Sequence, residues 1–323
     1  MKLSILDQSP VISGKTPREA LLASVELAKH GEDLGFIRYW IAEHHNMSSL
    51  ASSVPEVMLG YIGANTDKIR IGSGAVLLPH YKPYKVAETY NMLQTLFPDR
   101  IDLGIGRAPG GSAEASIALS GNYLDNVKKN PESISELLNF IYNDFPPNHF
   151  YSNTTASPLP VNPPDIWMLG TSIKSARLAA ENGTGYAFGH FMSDKDGPEI
   201  VQAYKENFKQ KRNMSEPYTI VTVSVICADT YKKAQDILFQ TTERLLVRQN
   251  EEDAYSSKPN LNEEIAKRSK LLVLGDPKTV GQELLAIKER YQADEIMIVT
   301  ITDNYRERLD SYQLVASELI QLR

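Results

Sequence analysis

The sequence predicts an α/β protein: a (β/α)8 TIM barrel with insertions after strands four and seven. Two observations carry that prediction. Short runs rich in β-branched residues alternate with segments of helical period along the chain. Three successive runs open at positions 38, 69 and 101, intervals of 31 and 32 residues, about one βαβ step. Strand alternating with helix implies a parallel sheet covered on both faces. Eight such units close the sheet into a barrel, whereas an open doubly wound sheet usually needs fewer. A length of 323 residues would suggest about two domains, but α/β barrels fold as one at this size.

The elements follow in order. Leu3–Ser9 reads as the first strand. The first helix is Pro17–Leu34, with Thr16 as N-cap, Pro17 at N1, Glu19 in the first turn and Gly35 just past the end. Arg38–His45 is the second strand and Pro55–Thr66 its helix. Ile69–Pro79 is the third strand, Pro83–Leu96 its helix, and Ile101–Gly106 the fourth strand. The pattern resumes with the strand Asp165–Gly170 and the helix Ser172–Asn182. It continues with the strand Gly185–Gly189, the helix Gly197–Lys211 and the strand Tyr218–Ala228. It ends with the strand Glu295–Thr300 and a helix near Asn304–Gln321. Two stretches break the rhythm. Residues 110–164 read as an ordered but irregular crossing, given Pro158-Leu159-Pro160 and Pro163-Pro164. Residues 250–270 are polar and charged and read as a mobile lid, with a solvated surface excursion as the other reading.

Composition narrows the function. The chain is 42% hydrophobic and 23% charged, which excludes a disordered chain or a disulfide-stapled miniprotein. The net charge of −6, with no basic block, argues against nucleic-acid binding. The single cysteine, Cys227, forms no internal disulfide and sits in an apolar run, so it reads as a buried strand residue in a cytoplasmic protein. No run approaches membrane-spanning length, and the first residues lack a signal-peptide core.

In such a barrel the chemistry gathers at the C-terminal ends of the strands. Strand two ends in Glu43-His44-His45. A histidine there suits proton transfer near neutral pH, although a hydrogen-bonded loop lock is the other reading. The remaining histidines form no spaced ligand motif, so no metal site is expected. Strand three ends in the small residues Gly72, Gly74 and Ala75, against which a flat ring can lie, although tight packing inside the barrel is the other reading. Strand four ends in Gly106-Arg107, followed by Gly110-Gly111, a fixed charge beside amide-rich backbone. Strand five ends in Gly170-Thr171-Ser172, with Ser175 one turn into a helix. Hydroxyls and free amides at a helix N-terminus suit an anion. Ser172 also reads as a plain N-cap and Arg107 as the partner of a nearby acid. Both features on adjacent strands favour one shared phosphate.

These residues carry a resemblance. Glu43-His44-His45, the strand Ile71–Pro79, Pro83, Ala87-Glu88 and the segment Arg100–Gly110 resemble the bacterial-luciferase-like flavin-dependent monooxygenases. Leu169-Gly170-Thr171-Ser172 and Val273–Pro277 fit as well. The likeness is nearest to the subgroup bearing Gly-Arg-Ala-Pro-Gly. It implies a barrel that uses reduced FMN and O2 on a small organic, aldehyde-like substrate, as a homodimer, with a separate flavin reductase as partner. It implies that Arg107, Ser172 and Ser175 hold the FMN phosphate, with Thr171, Gly170 and Gly106 beside them. It implies a cis Gly74-Ala75 peptide under the flavin ring and His44 as the catalytic residue. Gly106 and Lys82 stand where the light-emitting enzymes carry a cysteine and a histidine, which argues against light emission. The alternatives are an NAD(P)H-dependent flavin reductase, a deazaflavin-dependent relative, and a flavin-binding protein without catalysis.

Overall fold

In the computed structural model the described residues are 1–212, 214–252 and 260–320. Ten strands are formed: β1 (Leu3–Asp7), β2 (Arg38–Ile41), β3 (Arg70–Ser73), β4 (Val76–Leu77), β5 (Ile101–Gly106), β6 (Asp165–Gly170), β7 (Gly185–Gly189), β8 (Thr219–Cys227), β9 (Leu272–Gly275) and β10 (Glu295–Val299). Every pairing among them is parallel, and β10 pairs with both β1 and β8. The sheet therefore closes as an eight-strand barrel made of β1, β2, β3, β5, β6, β7, β8 and β10. The fold class read from the sequence is the fold observed.

Twelve helices lie in the described chain: α1 (Pro17–Asp33), α2 (Pro55–Gly63), α3 (Pro83–Leu96), α4 (Ala113–Ser120), α5 (Tyr123–Lys128), α6 (Asn130–Tyr142), α7 (Ile173–Asn182), α8 (Gly197–Glu206), α9 (Tyr231–Glu252), α10 (Leu261–Ser269), α11 (Pro277–Tyr291) and α12 (Tyr305–Leu319). The start of α1 follows its sequence signals. The Thr16 hydroxyl accepts from Glu19 N, and Glu19 reaches back to the Thr16 backbone.

Three features differ from the sequence reading. The third strand is not continuous to Pro79: it breaks at Gly74-Ala75, and β4 then pairs with the outer half of β5. The crossing at 110–164 is not merely irregular. It holds α4, α5 and α6, and α6 packs against α3 as a helix of the outer ring. Its spacing of Ile134, Leu137, Leu138 and Ile141 is helical and was legible. After β8 the chain forms a further strand, β9, which pairs with the outer part of β8 rather than entering the barrel. Of the stretch expected to be a lid, residues 253–259 lie outside the described residues. Leu261–Ser269 forms α10, capped by Asn260 and packed on α9 and β9.

Strand alternation divides the core into two parts. Leu3, Ile5, Tyr39 and Ile41 face the helices, while Leu6, Trp40, Trp167 and Met297 fill the barrel. At the end where the strands begin, the interior holds charge. Arg38 bridges Asp102 at 2.7 Å and Glu295 at 2.8 Å, and Trp40 donates to Asp102 at 2.9 Å. Burial raises the cost of charging Asp102, but Arg38, Arg70 and Trp40 outweigh it and hold the carboxyl below its ordinary range. That sealed end leaves the opposite end, where the strands finish, for a cavity.

Candidate active site

A cavity of about 410 Å³ opens at the C-terminal ends of the strands. Nine residues expected from the sequence to form the site line it: His44, Gly74, Ala75, Gly106, Arg107, Gly170, Thr171, Ser172 and Ser175.

The wall at the end of β2 is fixed from beneath. Glu43 is 3% exposed and carries three donors on one carboxylate. Oε1 accepts from His45 Nε2 at 2.8 Å and from the Tyr81 hydroxyl at 2.7 Å, and Oε2 accepts from Leu77 N at 3.1 Å. His45 thus turns away from the cavity into a lock, while His44 lines the cavity. The backbone on either side is held, His44 N by Ser52 O and His45 N by Gly110 O. His44 Nδ1 is buried without a partner, so Nε2 is the ring nitrogen that meets the cavity. Burial, helped by nearby His45, lowers the His44 pKa from its ordinary 6.5.

The floor is the turn between β3 and β4. The Gly74-Ala75 peptide is cis, and Gly74 N donates to Ile41 O at 2.8 Å. Beside it, Gly106 would bring a Cβ to 3.1 Å from Ala75 Cβ, so the glycine keeps this surface low.

Arg107 follows β5 and is exposed; it makes no ion pair among the described residues. The acid partner admitted by the sequence is absent there. The turn behind it is braced: the Tyr123 hydroxyl donates to Arg107 O, and Tyr123 stacks on His80, which bonds Pro109 O at 2.9 Å. Gly110 closes the turn at φ +69°, where a Cβ would lie 2.2 Å from Leu77 Cδ1.

Ser172 is indeed the N-cap of α7. Its hydroxyl accepts from Ser175 N at 3.3 Å, while Ser175 Oγ accepts from Ser172 N at 3.2 Å. Both also line the cavity, so capping and facing a ligand are one arrangement. Gly170 permits it, since a Cβ there would lie 2.3 Å from Ser175 Oγ.

Sequence reasoning missed Gln8, Asn130, Lys174 and Lys195, which also line the cavity. Gln8 was legible, two residues beyond the inward Leu6 on β1. Asn130 opens a helix the strand rhythm did not predict, and Lys195 lies on a short turn with no periodicity. Cys227 takes no part: it is buried away from this cavity, and burial pushes its thiol up to about 12. Among the described residues no three His, Cys, Asp or Glu side chains group as metal ligands, and no helix is long and apolar enough to cross a membrane.

The fold and this cavity define a (β/α)8 barrel whose ligand site is built from strand ends and the loops that follow them. The chain belongs to the luciferase-like monooxygenases, whose family pattern matches residues 1–294. It is 41% identical to the uncharacterized protein YwcH of Bacillus subtilis, over 98% of each chain. It is 34% identical to N-acetyl-S-alkylcysteine monooxygenase of the same organism, over 99% of this chain and 98% of that one. The crystal structure of apo-MsnO8 superimposes with a TM-score of 0.87 at 33% identity, covering 100% of this chain and 99% of the other. The oxygenating constituent of 3,6-diketocamphane monooxygenase from Pseudomonas putida, solved in complex with FMN, has a TM-score of 0.74 with full coverage of both chains. At 21% identity that likeness is one of fold.

Proposed function

We propose that this chain is an FMN-dependent monooxygenase that takes reduced FMN and O2 as co-substrates and oxygenates a small organic substrate. One observation carries the reading. An arginine without an acid partner among the described residues, a serine-capped helix N-terminus, a low glycine–alanine floor and a half-buried histidine line one cavity. Family membership and the FMN-bound fold relative support it.

The residues fit the group. Arg107 offers a fixed fork of donors, and Ser172, Ser175 and the free amides of α7 offer more, so this end holds the phosphate. Thr171, Gly170 and Gly106 frame it. Gly74-Ala75 leaves a flat bed for the ring, bordered by His44. When bound, reduced FMN supplies the electrons that activate O2. The protein orients the reactants and keeps water out. His44 is neutral near pH 7 because its pKa is lowered. With Nδ1 sealed and unpartnered, the neutral ring keeps its proton on Nε2, since an orphaned buried acceptor costs less than an orphaned N–H. Nε2 therefore holds the proton that His44 moves during oxygen transfer or product release.

The protein works as a homodimer in the cytoplasm, and a separate flavin reductase supplies the reduced FMN. An exposed apolar face on α2 and α3 supports the dimer, and one buried, reduced thiol suits the compartment.

The test separates two residues. Arg107→Ala weakens FMN binding about tenfold or more, the effect of losing one charge-assisted pair. His44→Ala leaves FMN binding intact but cuts substrate-dependent O2 uptake at least about a hundredfold, as loss of a proton-transfer group does. Equal turnover in His44→Ala overturns its role. Bleaching of FMN-loaded protein by NADH, without substrate oxygenation, moves the reading to an NAD(P)H-dependent flavin reductase.

A further inference from the structure

The cavity holds a polar side chain that the reading above does not use. Asn130 is the first residue of α6, a helix of 13 residues. It is only 5% exposed and lines the cavity. Its Oδ1 is sealed from water and has no partner. Its Nδ2 makes no hydrogen bond among the described residues either, but it is not sealed, so it is the amide atom that borders the open space. A buried amide has two N–H donors and one carbonyl to satisfy, and leaving them idle is costly. The sealed Oδ1 meets no ligand, whereas the open Nδ2 carries two N–H donors, so the ligand group it can bind is an acceptor.

The neighbourhood says which acceptor. Helix α6 follows β5 and α7 follows β6, two strands that pair directly. Their N-terminal turns, each with its partial positive charge, therefore reach the same cavity as Arg107. Ser172, Ser175 and Lys174 add further donors. Among the described residues the one carboxylate lining the cavity, Glu43, is saturated by His45, Tyr81 and Leu77. A ligand end met by donors only, and by no free acid, is an anion with several acceptor oxygens.

We propose that Asn130 is a phosphate-binding residue of this site, its Nδ2 donating to the dianion that Arg107 and Ser172 hold. The inference rests on the FMN reading and adds the second helix, α6, to the cradle. It also gives the excursion between β5 and β6 a function, since that segment carries Asn130 into the site.

The experiment compares FMN with riboflavin, which lacks the phosphate. Both are titrated into the purified protein and followed by flavin fluorescence, with a thermal melt of each variant as the folding control. Wild type should bind FMN much more tightly than riboflavin. Asn130→Ala should raise the Kd for FMN about tenfold, the loss of one hydrogen bond to a charged group. Asn130→Asp matches the shape of the side chain but sets a carboxylate against the phosphate, so it should raise that Kd further. Riboflavin affinity should stay put in both variants, and the ³¹P resonance of bound FMN should shift in Asn130→Ala. An unchanged FMN Kd in both variants overturns the proposal. So does an equal loss of FMN and riboflavin, which marks a structural role. If wild type shows no preference for FMN over riboflavin, the phosphate site itself is misassigned, a failure distinct from that of Asn130.

Discussion

His45 Nε2 donates to Glu43 Oε1 at 2.8 Å, and that contact holds the His45 ring out of the cavity that His44 lines. The pair is buried, and the same carboxylate also holds Tyr81 and the Leu77 amide on β4. Glu43 therefore ties the His44 loop to the floor of the site.

Removing that tie is costly. Glu43→Ala leaves two buried donors, His45 Nε2 and Leu77 N, without an acceptor, at about 1–3 kcal/mol each before relaxation, and the part-buried Tyr81 hydroxyl as well. We expect a fall of several degrees in Tm and disordering of the His44 loop. Thermal unfolding followed by circular dichroism checks it; an unchanged melt refutes the tie.

The His44 titration has a definite sign. Its folded pKa lies below the ordinary 6.5, so the native state binds fewer protons than the unfolded chain on the acid side of that value. The contribution to stability is whole above about pH 7 and erodes as the pH falls through 6.5. Long-range ¹H–¹⁵N spectra should show His44 as the neutral Nε2–H tautomer at pH 7 and titrating below free histidine. A midpoint at or above the ordinary value sinks this.

Arg308 on α12 reaches Asp7 at the end of β1 across 2.7 Å, and both are almost fully buried. Burial pushes the Asp7 carboxyl up, but Arg308 and the hydrogen bonds from Tyr39, Ser24 and Ser9 outweigh it and leave it below 3.8. Arg308→Met strands the carboxylate and should cost about 3–5 kcal/mol, read as a lower midpoint in urea. The double change Asp7→Leu with Arg308→Met should cost less. A loss in the double variant equal to the sum of the Asp7→Leu and Arg308→Met losses would show that the pair is not coupled.

The exposed apolar face has a simple test. Val57 and Tyr61 on α2, with Met92 and Leu96 on α3, are about half or more exposed, from 49% to 67%, on two helices that pack together. Arginine at both Val57 and Leu96 should convert a dimer to a monomer by light scattering without lowering the melt. A wild-type protein that is already monomeric at micromolar concentration refutes the dimer.

Much of this was legible in the chain. The alternation of apolar runs and helical segments defines the barrel, because parallel strands need a crossover at every step. The strand-end residues are local signals: Arg107 after β5 and Ser172 before α7 sit where strand and cap chemistry put them. Family likeness also anticipated the cis Gly74-Ala75 peptide. Other features depend on contacts far apart in sequence. Only the closed sheet brings His44, Gly74, Arg107 and Ser175 around one space. Only packing seals Asn130 Oδ1 and His44 Nδ1 while leaving the other polar atom of each side chain open. Only the fold shows that Arg107 has no acid within reach among the described residues. The reason is physical. Periodicity and capping are written in neighbouring residues, whereas burial, partnership and the cavity arise when distant segments compete for the same volume.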